Sequence, residues 1–201
     1  MQREKDRISK TEYKGYELVA TTSENQSFNK RNLDQTIKVI ESAFDSYNKI
    51  IQFHFILRLP AANTPSDPEF QEVKRRFNEK LRTLFRGKTK GGYSRGRLSY
   101  IQAVEIEKAK SRHIHLMLFV NAARNQPEGL VRMVESAWCH AVGDEYIRGL
   151  VEYRKQDGTN GYNFSIQTSA GEAVKWASYL CKARGKQEST QCFSSSRIPT
   201  K

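Results

Sequence analysis

The chain has few of the features that mark a secreted or membrane protein. Its three cysteines, Cys139, Cys181 and Cys192, have no CxxC spacing, which suits a reducing compartment and argues against a zinc knuckle. It contains no stretch of eighteen apolar residues, and no apolar run follows the basic N-terminus. The sequence therefore predicts neither a membrane span nor a secretory signal, and we expect a cytoplasmic protein.

Acidic residues are also scarce. The chain carries 22 of them against 34 Lys and Arg, a net charge of +12, which favours nucleic acid or an acidic membrane face as a partner. Between residues 74 and 97, ten basic residues stand against Glu79 alone. Such a cluster repels itself unless an anion binds, so we expect a phosphate-binding patch rather than a solvated helix face. The predicted nucleic-acid contacts are Lys74, Arg75, Arg76, Arg82, Arg86, Lys88, Lys90, Arg95 and Arg97, with Arg112 from the start of a later strand.

Helical periodicity of apolar residues recurs along the chain, with cap and breaker residues at the ends of each pattern. The last helix begins with Ser169 and Glu172 at capping-box spacing. We predict four helices: one that follows Asn32 as a candidate cap, one from Asp67 or Pro68 to about Phe85, one from Pro127 to about Val142, and one over residues 169–182.

Runs of β-branched and aromatic residues predict strands at 50–59, 98–107 and 112–120, the last two joined by a tight connection at 108–111. Residues 149–154 and 162–167 are expected to form a hairpin around QDGTNG. These elements predict an α+β fold, an antiparallel sheet of about five strands with helices packed mainly on one face. We divide the chain into an N-terminal arm and helix (1–49), a main domain (50–185) and an irregular Ser-rich tail (186–201).

The most informative local motif is His113-Ile114-His115. Strand side chains alternate between faces, so the two imidazoles point the same way and can bind one divalent metal. If residues 108–111 turn the chain, Glu105 and Glu107 lie on the neighbouring strand, and either could be the third ligand. His54, in the first strand, shares a face with Gln52, Ile56 and Arg58. We expect it either to border the nucleic-acid surface or to be an ordinary, partly buried sheet residue.

The second motif is Tyr179-x-x-Lys182 in the last helix. Positions three apart share a helix face, so the lysine ammonium is a neighbour of the phenol. A tyrosine phenol has a pKa of about 10, so its ionisation at pH 7 costs roughly 4 kcal/mol, which a nearby ammonium lowers. The pair is therefore a candidate nucleophile with its activating cation.

Taken together, these motifs in this order and spacing resemble those of the HUH endonucleases. Within that superfamily the chain is similar to the single-tyrosine initiators of rolling-circle replication, in particular the inovirus-type, YagK/YfjJ-like group. The similarity extends over roughly residues 50–197. The stretches that carry it are RHIHLMLFVN, the helix around Trp138, GLVEY, ASYLCK and CFSSSR.

The resemblance implies a fold with RRM-like architecture and site-specific nicking and joining of single-stranded DNA. A divalent ion, Mn²⁺ or Mg²⁺, would be held by His113, His115 and Glu105, with Glu107 as the alternative third ligand. Tyr179 would form a 5′-phosphotyrosine and free a 3′-OH that primes replication of a phage, plasmid or satellite element in a bacterial cell. Lys182 would orient or activate the tyrosine.

The implied partners are the origin single strand and a host helicase and polymerase, because the chain contains no GxxxxGK[ST] motif. Two alternatives remain open. A relaxase or transposase of the same superfamily would share the chemistry and differ in substrate. A non-enzymatic single-strand-binding module would share the sheet and the basic charge, but the central strand lacks the aromatic pattern of an RNA-recognition motif.

Overall fold

The computed structural model describes residues 7–8, 11–19, 27–60, 65–87, 94–105, 112–143, 149–153, 161–182 and 192–198. The helices in these ranges are α1 (Lys30–Phe44), α2 (Asp67–Arg86), α3 (Pro127–Val142) and α4 (Ala170–Ala177), the last followed by a 3₁₀ turn over Ser178–Cys181. The strands are β1 (Arg7–Ile8), β2 (Glu12–Tyr13), β3 (Tyr16–Glu17), β4 (Phe28–Asn29), β5 (Ile50–Arg58), β6 (Ser99–Glu105), β7 (His113–Asn121), β8 (Val151–Glu152), β9 (Phe164–Gln167) and β10 (Phe193–Ser195). Within the described ranges, no helix is both long and apolar enough to cross a membrane.

Six of the strands form one antiparallel sheet. Its order is β10-β6-β7-β5, and the outer edge of β5 pairs with both β8 and β9. The predicted α+β class with an antiparallel sheet is therefore confirmed, with six strands where the sequence indicated about five. Two small strand pairs, β1 with β4 and β2 with β3, lie outside this sheet.

The segment 149–167 is not the hairpin that the sequence predicted. In its described residues β8 and β9 pair with β5 rather than with each other: Glu152 lies opposite Ile56, and Phe164 lies opposite Phe53. Both run in the same direction along one edge, so they act as a single strand with an interruption. Apart from Gly161, the turn residues of QDGTNG lie outside the described residues.

The pleat gives the sheet two faces, and helices cover both. The core face carries Phe55 of β5 and Leu116 of β7, against which α2 and α3 pack. The opposite face, here called the site face, carries Ile101 and Phe119, against which α1 and α4 pack. The expectation of helices mainly on one face was therefore wrong. One end of the site face is also apolar, and α1 and α4 bury its side chains. Its other end carries the histidines of β7.

Helix starts differ in detail from the predictions. Asn29, rather than Asn32, caps α1: its side chain accepts a hydrogen bond from the Asn32 backbone N–H at 3.0 Å. Ser169 stands at the start of α4 as predicted, but its side chain makes no cap hydrogen bond, so the expected capping box is not formed. A capping box does open α2, where the Ser66 backbone N–H donates to Glu69 Oε2 at 2.8 Å.

The segments that flank the predicted main domain pack into it. Helix α1 contacts β6 and α4, and its Leu33 is buried in a cluster with Phe28 and Cys181. Near the C-terminus, β10 pairs with β6 and extends the sheet, so the predicted irregular tail was wrong at Phe193–Ser195. Three residues, two of them serines, offer too little alternation for a strand to be recognised from sequence.

Candidate active site

Two histidines lie side by side on the site face at the start of β7. Because successive strand residues point to opposite faces, His113 and His115 share this face while Ile114 enters the core. Both imidazoles are buried, with 3% and 5% exposure. Their Nε2 atoms are 3.1 Å apart, so the two rings converge on one point, as the motif predicted.

Glu105, the last residue of β6, completes the cluster. Its register places it directly opposite His113, and its Oε2 lies 3.0 Å from His115 Nε2 and 3.7 Å from His113 Nε2. The alternative third ligand, Glu107, lies outside the described residues. The structure thus brings together His113, His115 and Glu105, whose donor atoms all lie within 4.8 Å of one another.

These donor atoms have the spacing of ligands around one divalent cation. Ligand atoms that bind one ion at about 2.1 Å lie roughly 3 to 4 Å from their neighbours, which matches the separations in this cluster. Two imidazoles and a carboxylate suit Mn²⁺ and other first-row metals. The buried Nδ1 of His113 hydrogen-bonds to no described group, so Nε2 is the nitrogen through which that ring is engaged. The residues present therefore fit a divalent metal ion.

Tyr179 approaches the cluster from a different element, the 3₁₀ turn after α4. Its ring centroid lies 6.0 Å from that of His115, at an interplanar angle of 64°. The side chain is 40% exposed, so the tyrosine touches the cluster and is still accessible to a substrate. The sequence predicted one helix through Lys182; α4 instead ends at Ala177 and tightens into the turn that holds Tyr179.

Lys182 lies over the face of the Tyr179 ring, with its Nζ 5.0 Å from the ring centroid. Side chains three residues apart are eclipsed in a 3₁₀ turn, so the change of helix type keeps the predicted neighbours together. Burial lowers the pKa of Lys182, and the negative charge of Glu105 partly opposes that effect. Lys182 is therefore a cation shared between the tyrosine and the acidic member of the cluster.

His54 of β5 also belongs to this cluster. Its Nε2 lies 3.0 Å from His115 Nδ1, and the two rings stack with centroids 5.2 Å apart. On the far side of the ring, His54 Nδ1 lies 3.2 Å from the side-chain Nδ2 of Asn163. Burial, and to a smaller extent the neighbouring His115, lowers the pKa of His54 to about 3. Its imidazole is therefore neutral near pH 7.

Arg58 places a positive charge beside the cluster, directly opposite His113 in the register of β5 and β7. Its guanidinium pairs with Glu152 of β8, with Nε 2.6 Å from Oε1. The side chain is 31% exposed. Arg58 was not among the predicted site residues, although alternation along β5 put it on the same face as His54.

The predicted basic patch lies largely on the other side of the sheet. Helix α2 packs on the core face, so the sheet separates it from the histidines. Lys74 is buried, which lowers its pKa and removes it from any exposed patch. Arg75 is ion-paired with Glu72 and Glu79 at 2.6 and 2.7 Å, and Glu72 lies just before the segment in which only one acidic residue was counted. The exposed predicted contacts on α2 that remain are Arg82 and Arg86.

Arg112 precedes His113 but belongs to the core-face side. Its guanidinium pairs with Asp67 at the start of α2 and lies 5.5 Å from the ring centroid of Phe70. Arg76, on α2, is half-buried. Both arginines are therefore placed away from the site face, and their contact with nucleic acid stays a prediction.

Arg95 and Arg97 lie before β6, at the end of that strand remote from Glu105. The six residue steps from Ser99 to Glu105 span about 20 Å. Arg97 donates to the Ser42 hydroxyl of α1 at 2.8 Å, so it joins the loop to the helix. The last two predicted contacts, Lys88 and Lys90, lie outside the described residues.

Fold and site together define an α+β domain whose antiparallel sheet presents a two-histidine, one-carboxylate donor set with a tyrosine against it. The chain belongs to the YagK/YfjJ C-terminal domain family, whose model matches residues 11–196. This match includes α1 and β10, in agreement with the packing of both onto the sheet. Comparison with curated proteins finds no match.

Proposed function

We propose that this protein is an HUH-type, single-tyrosine endonuclease that nicks and rejoins single-stranded DNA, and so starts rolling-circle replication of a phage, plasmid or satellite element in a bacterial cell. The observation that carries the proposal is the contact between the partly exposed Tyr179 and His115 of a donor set that fits a metal. A nucleophile beside a Lewis-acid site favours attack on a phosphate ester. The order and spacing of the motifs support the same chemistry.

In the proposed reaction the Tyr179 hydroxyl oxygen attacks the scissile phosphorus. The bond from phosphorus to the 3′ oxygen breaks, which leaves the 5′-phosphate esterified to tyrosine and a strand that ends in 3′-OH. The phenol proton is lost to solvent, and the leaving 3′ oxygen takes up a proton. Mn²⁺ or Mg²⁺ held by His113, His115 and Glu105 would polarise the phosphate. Because one phosphodiester is exchanged for another, attack by a 3′-OH rejoins the strand without ATP.

Two cations next to the donor set would stabilise charge during this exchange. Lys182, over the Tyr179 ring, favours the phenolate and offsets charge that builds on the phosphate. Arg58, opposite His113 and paired with Glu152, would add positive charge beside a phosphate bound on the same face.

The exposed aromatic residues favour an unpaired strand as the substrate. Trp176 and Tyr179 are 39% and 40% exposed and lie three residues apart, on one side of the α4 segment. Exposed rings of this kind are the surfaces on which unpaired bases stack. The net charge of +12 favours a polyanion. A host helicase and polymerase would supply unwinding and synthesis.

The test is covalent capture of DNA. Purified protein is incubated with Mn²⁺ and a pool of single-stranded oligonucleotides with a randomised centre, labelled at either end, and is then denatured in SDS. We expect a 3′ label to migrate with the protein and a 5′ label to appear on a shorter free strand that a polymerase can extend. Tyr179→Phe removes only the hydroxyl, so the adduct should vanish while binding of the same pool persists.

Tyr162→Phe is the matched control, because Tyr162 is a half-buried tyrosine that packs against Phe53 on the core face. It should form the adduct like the wild type. Binding without any adduct would leave a single-strand-binding module as the function. An SDS-stable adduct in Tyr179→Phe would place the nucleophile elsewhere.

A further inference from the structure

The contacts of His54 form a continuous line from the sheet edge to the donor set. Asn163 Nδ2 lies 3.2 Å from His54 Nδ1, His54 Nε2 lies 3.0 Å from His115 Nδ1, and His115 Nε2 lies 3.0 Å from Glu105 Oε2. Every ring nitrogen of the two histidines is therefore used. His115 belongs to the donor set and His54 does not, so His54 acts on the site through His115.

The interruption of the edge strand delivers Asn163 to this line. The His54 backbone N–H donates to the Asn163 carbonyl at 3.0 Å, and the Asn163 backbone N–H donates to the Tyr153 carbonyl at 2.7 Å. Asn163 is thus anchored on both sides where the chain returns to the sheet. An uninterrupted strand would continue from Tyr153 directly along β5 and would place another residue beside His54.

An imidazole that binds a cation through Nε2 must carry its proton on Nδ1, and this proton needs an acceptor. We propose that His54 and Asn163 are positioning residues that hold His115 in its metal-binding tautomer; the inference rests on the proposed metal site. In this relay of hydrogen bonds, His54 accepts a hydrogen bond from His115 Nδ1–H, and Asn163 accepts one from His54 Nδ1–H. Imidazole suits the middle position because its nitrogen can donate in one state and accept in the other. The side-chain amide of Asn163 has the same property when it rotates by half a turn.

The protons balance between the two states. Without metal, Asn163 donates to His54, His54 donates from Nε2 to His115, and His115 donates from Nε2 to Glu105. With metal, each histidine carries its proton on Nδ1: His115 donates to His54, and His54 donates to the Asn163 amide oxygen. Each ring keeps one proton, exchanged through water, and no net proton is taken up or released by the pair.

The test compares His54→Phe with His54→Gln. Phenylalanine keeps a flat ring that can stack on His115 but has no nitrogen, whereas glutamine keeps an atom that accepts a hydrogen bond. By titration calorimetry with Mn²⁺, His54→Phe should weaken binding about 10- to 100-fold, the usual cost of losing such a partner, and His54→Gln should weaken it less. His140→Phe, at an exposed position on α3, is the matched control and should bind like the wild type.

A second readout reports the tautomer itself. At a Zn²⁺ concentration that saturates the wild type, long-range proton–nitrogen NMR correlations of His115 should show only the ring protonated on Nδ1 in the wild type. In His54→Phe they should also show the metal-free ring protonated on Nε2, because the weaker binding leaves part of the protein without metal. Equal Mn²⁺ affinity in wild type and His54→Phe would overturn the relay and leave the metal site intact. Absence of Mn²⁺ binding by the wild type would overturn the metal site and the relay with it. A role in packing alone predicts that phenylalanine is tolerated better than glutamine, the reverse of the expected order.

Discussion

Mn²⁺ should raise the melting temperature of the wild-type protein, and it should fail to do so in His115→Ala. His115 is the central member of the donor set: its Nε2 lies about 3 Å from both His113 Nε2 and Glu105 Oε2. Its removal leaves two donors, His113 and Glu105, on neighbouring strands, with no third donor between them. A metal bound only by the folded protein stabilises it, so the loss of binding is visible as a loss of that stabilisation.

The size of the effect follows from linkage. At a metal concentration 100 times Kd, the free energy of unfolding rises by about 2.7 kcal/mol. For a chain of this length each kcal/mol shifts the melting temperature by about 2–4 °C, so we expect a shift of about 5–10 °C. If the substitution weakens Kd about hundredfold, the same concentration yields only about 0.4 kcal/mol and a shift near 1 °C.

The assay is calorimetric melting with a series of Mn²⁺ concentrations and with chelator. His115→Ala must first show cooperative melting in chelator, because the side chain is buried and its loss also costs stability. Glu105→Gln, at a partly exposed position, is the second variant, and His140→Ala is the control that should shift like the wild type. A melting temperature of the wild type that does not respond to Mn²⁺, or a full shift in both ligand variants, would refute the reasoning.

Three further outcomes are expected. Glu105→Gln should reduce Mn²⁺-dependent nicking more than Glu107→Gln, since the Glu105 carboxylate is the one observed at the histidines; the opposite order in a nicking assay would move the third ligand to Glu107. In chelator, the free energy of unfolding measured with urea should fall by about 2 kcal/mol from pH 7.5 to pH 5. The reason is that unfolded His54 takes up a proton below its ordinary pKa of about 6.5, whereas folded His54 has a pKa of about 3 and stays neutral over this range. His54→Gln should remove that part of the pH dependence. If the exposed part of α2 binds DNA, Arg82→Glu with Arg86→Glu should flatten the salt dependence of single-strand binding by about 0.7 for each phosphate that the variant no longer neutralises, and an unchanged slope would limit DNA to the site face.

Local patterns in the sequence are enough to predict much of the candidate site. Alternation in a strand is enough to place His113 and His115 on one face, and a short connection between strands is enough to predict that Glu105 or Glu107 lies across from them. The spacing of Tyr179 and Lys182 makes them neighbours in an α-helix and also in the 3₁₀ turn that the chain forms. These relations depend only on residues near one another in the chain, so they could be predicted.

Charge counted along the chain was a weaker guide. The segment of α2 appeared as one basic patch because the count began after Glu72, the residue that pairs with Arg75. The count also could not show that Lys74 faces the core. Net charge along a sequence is a sum, whereas binding depends on which side chains share an exposed surface.

What the sequence determined by itself is the class of fold, the two histidines with a carboxylate from the preceding strand, and the spacing of Tyr179 and Lys182, because each follows from local periodicity and spacing. It left open whether that carboxylate is Glu105 or Glu107. The tertiary structure decided that β5 lies next to β7, which brings His54 to His115, and that the edge strand is interrupted, which brings Asn163 to His54. It also decided that α2 lies on the face opposite the site. Strand order and helix placement depend on pairing between distant segments, and no pattern within a single segment records which partner it meets.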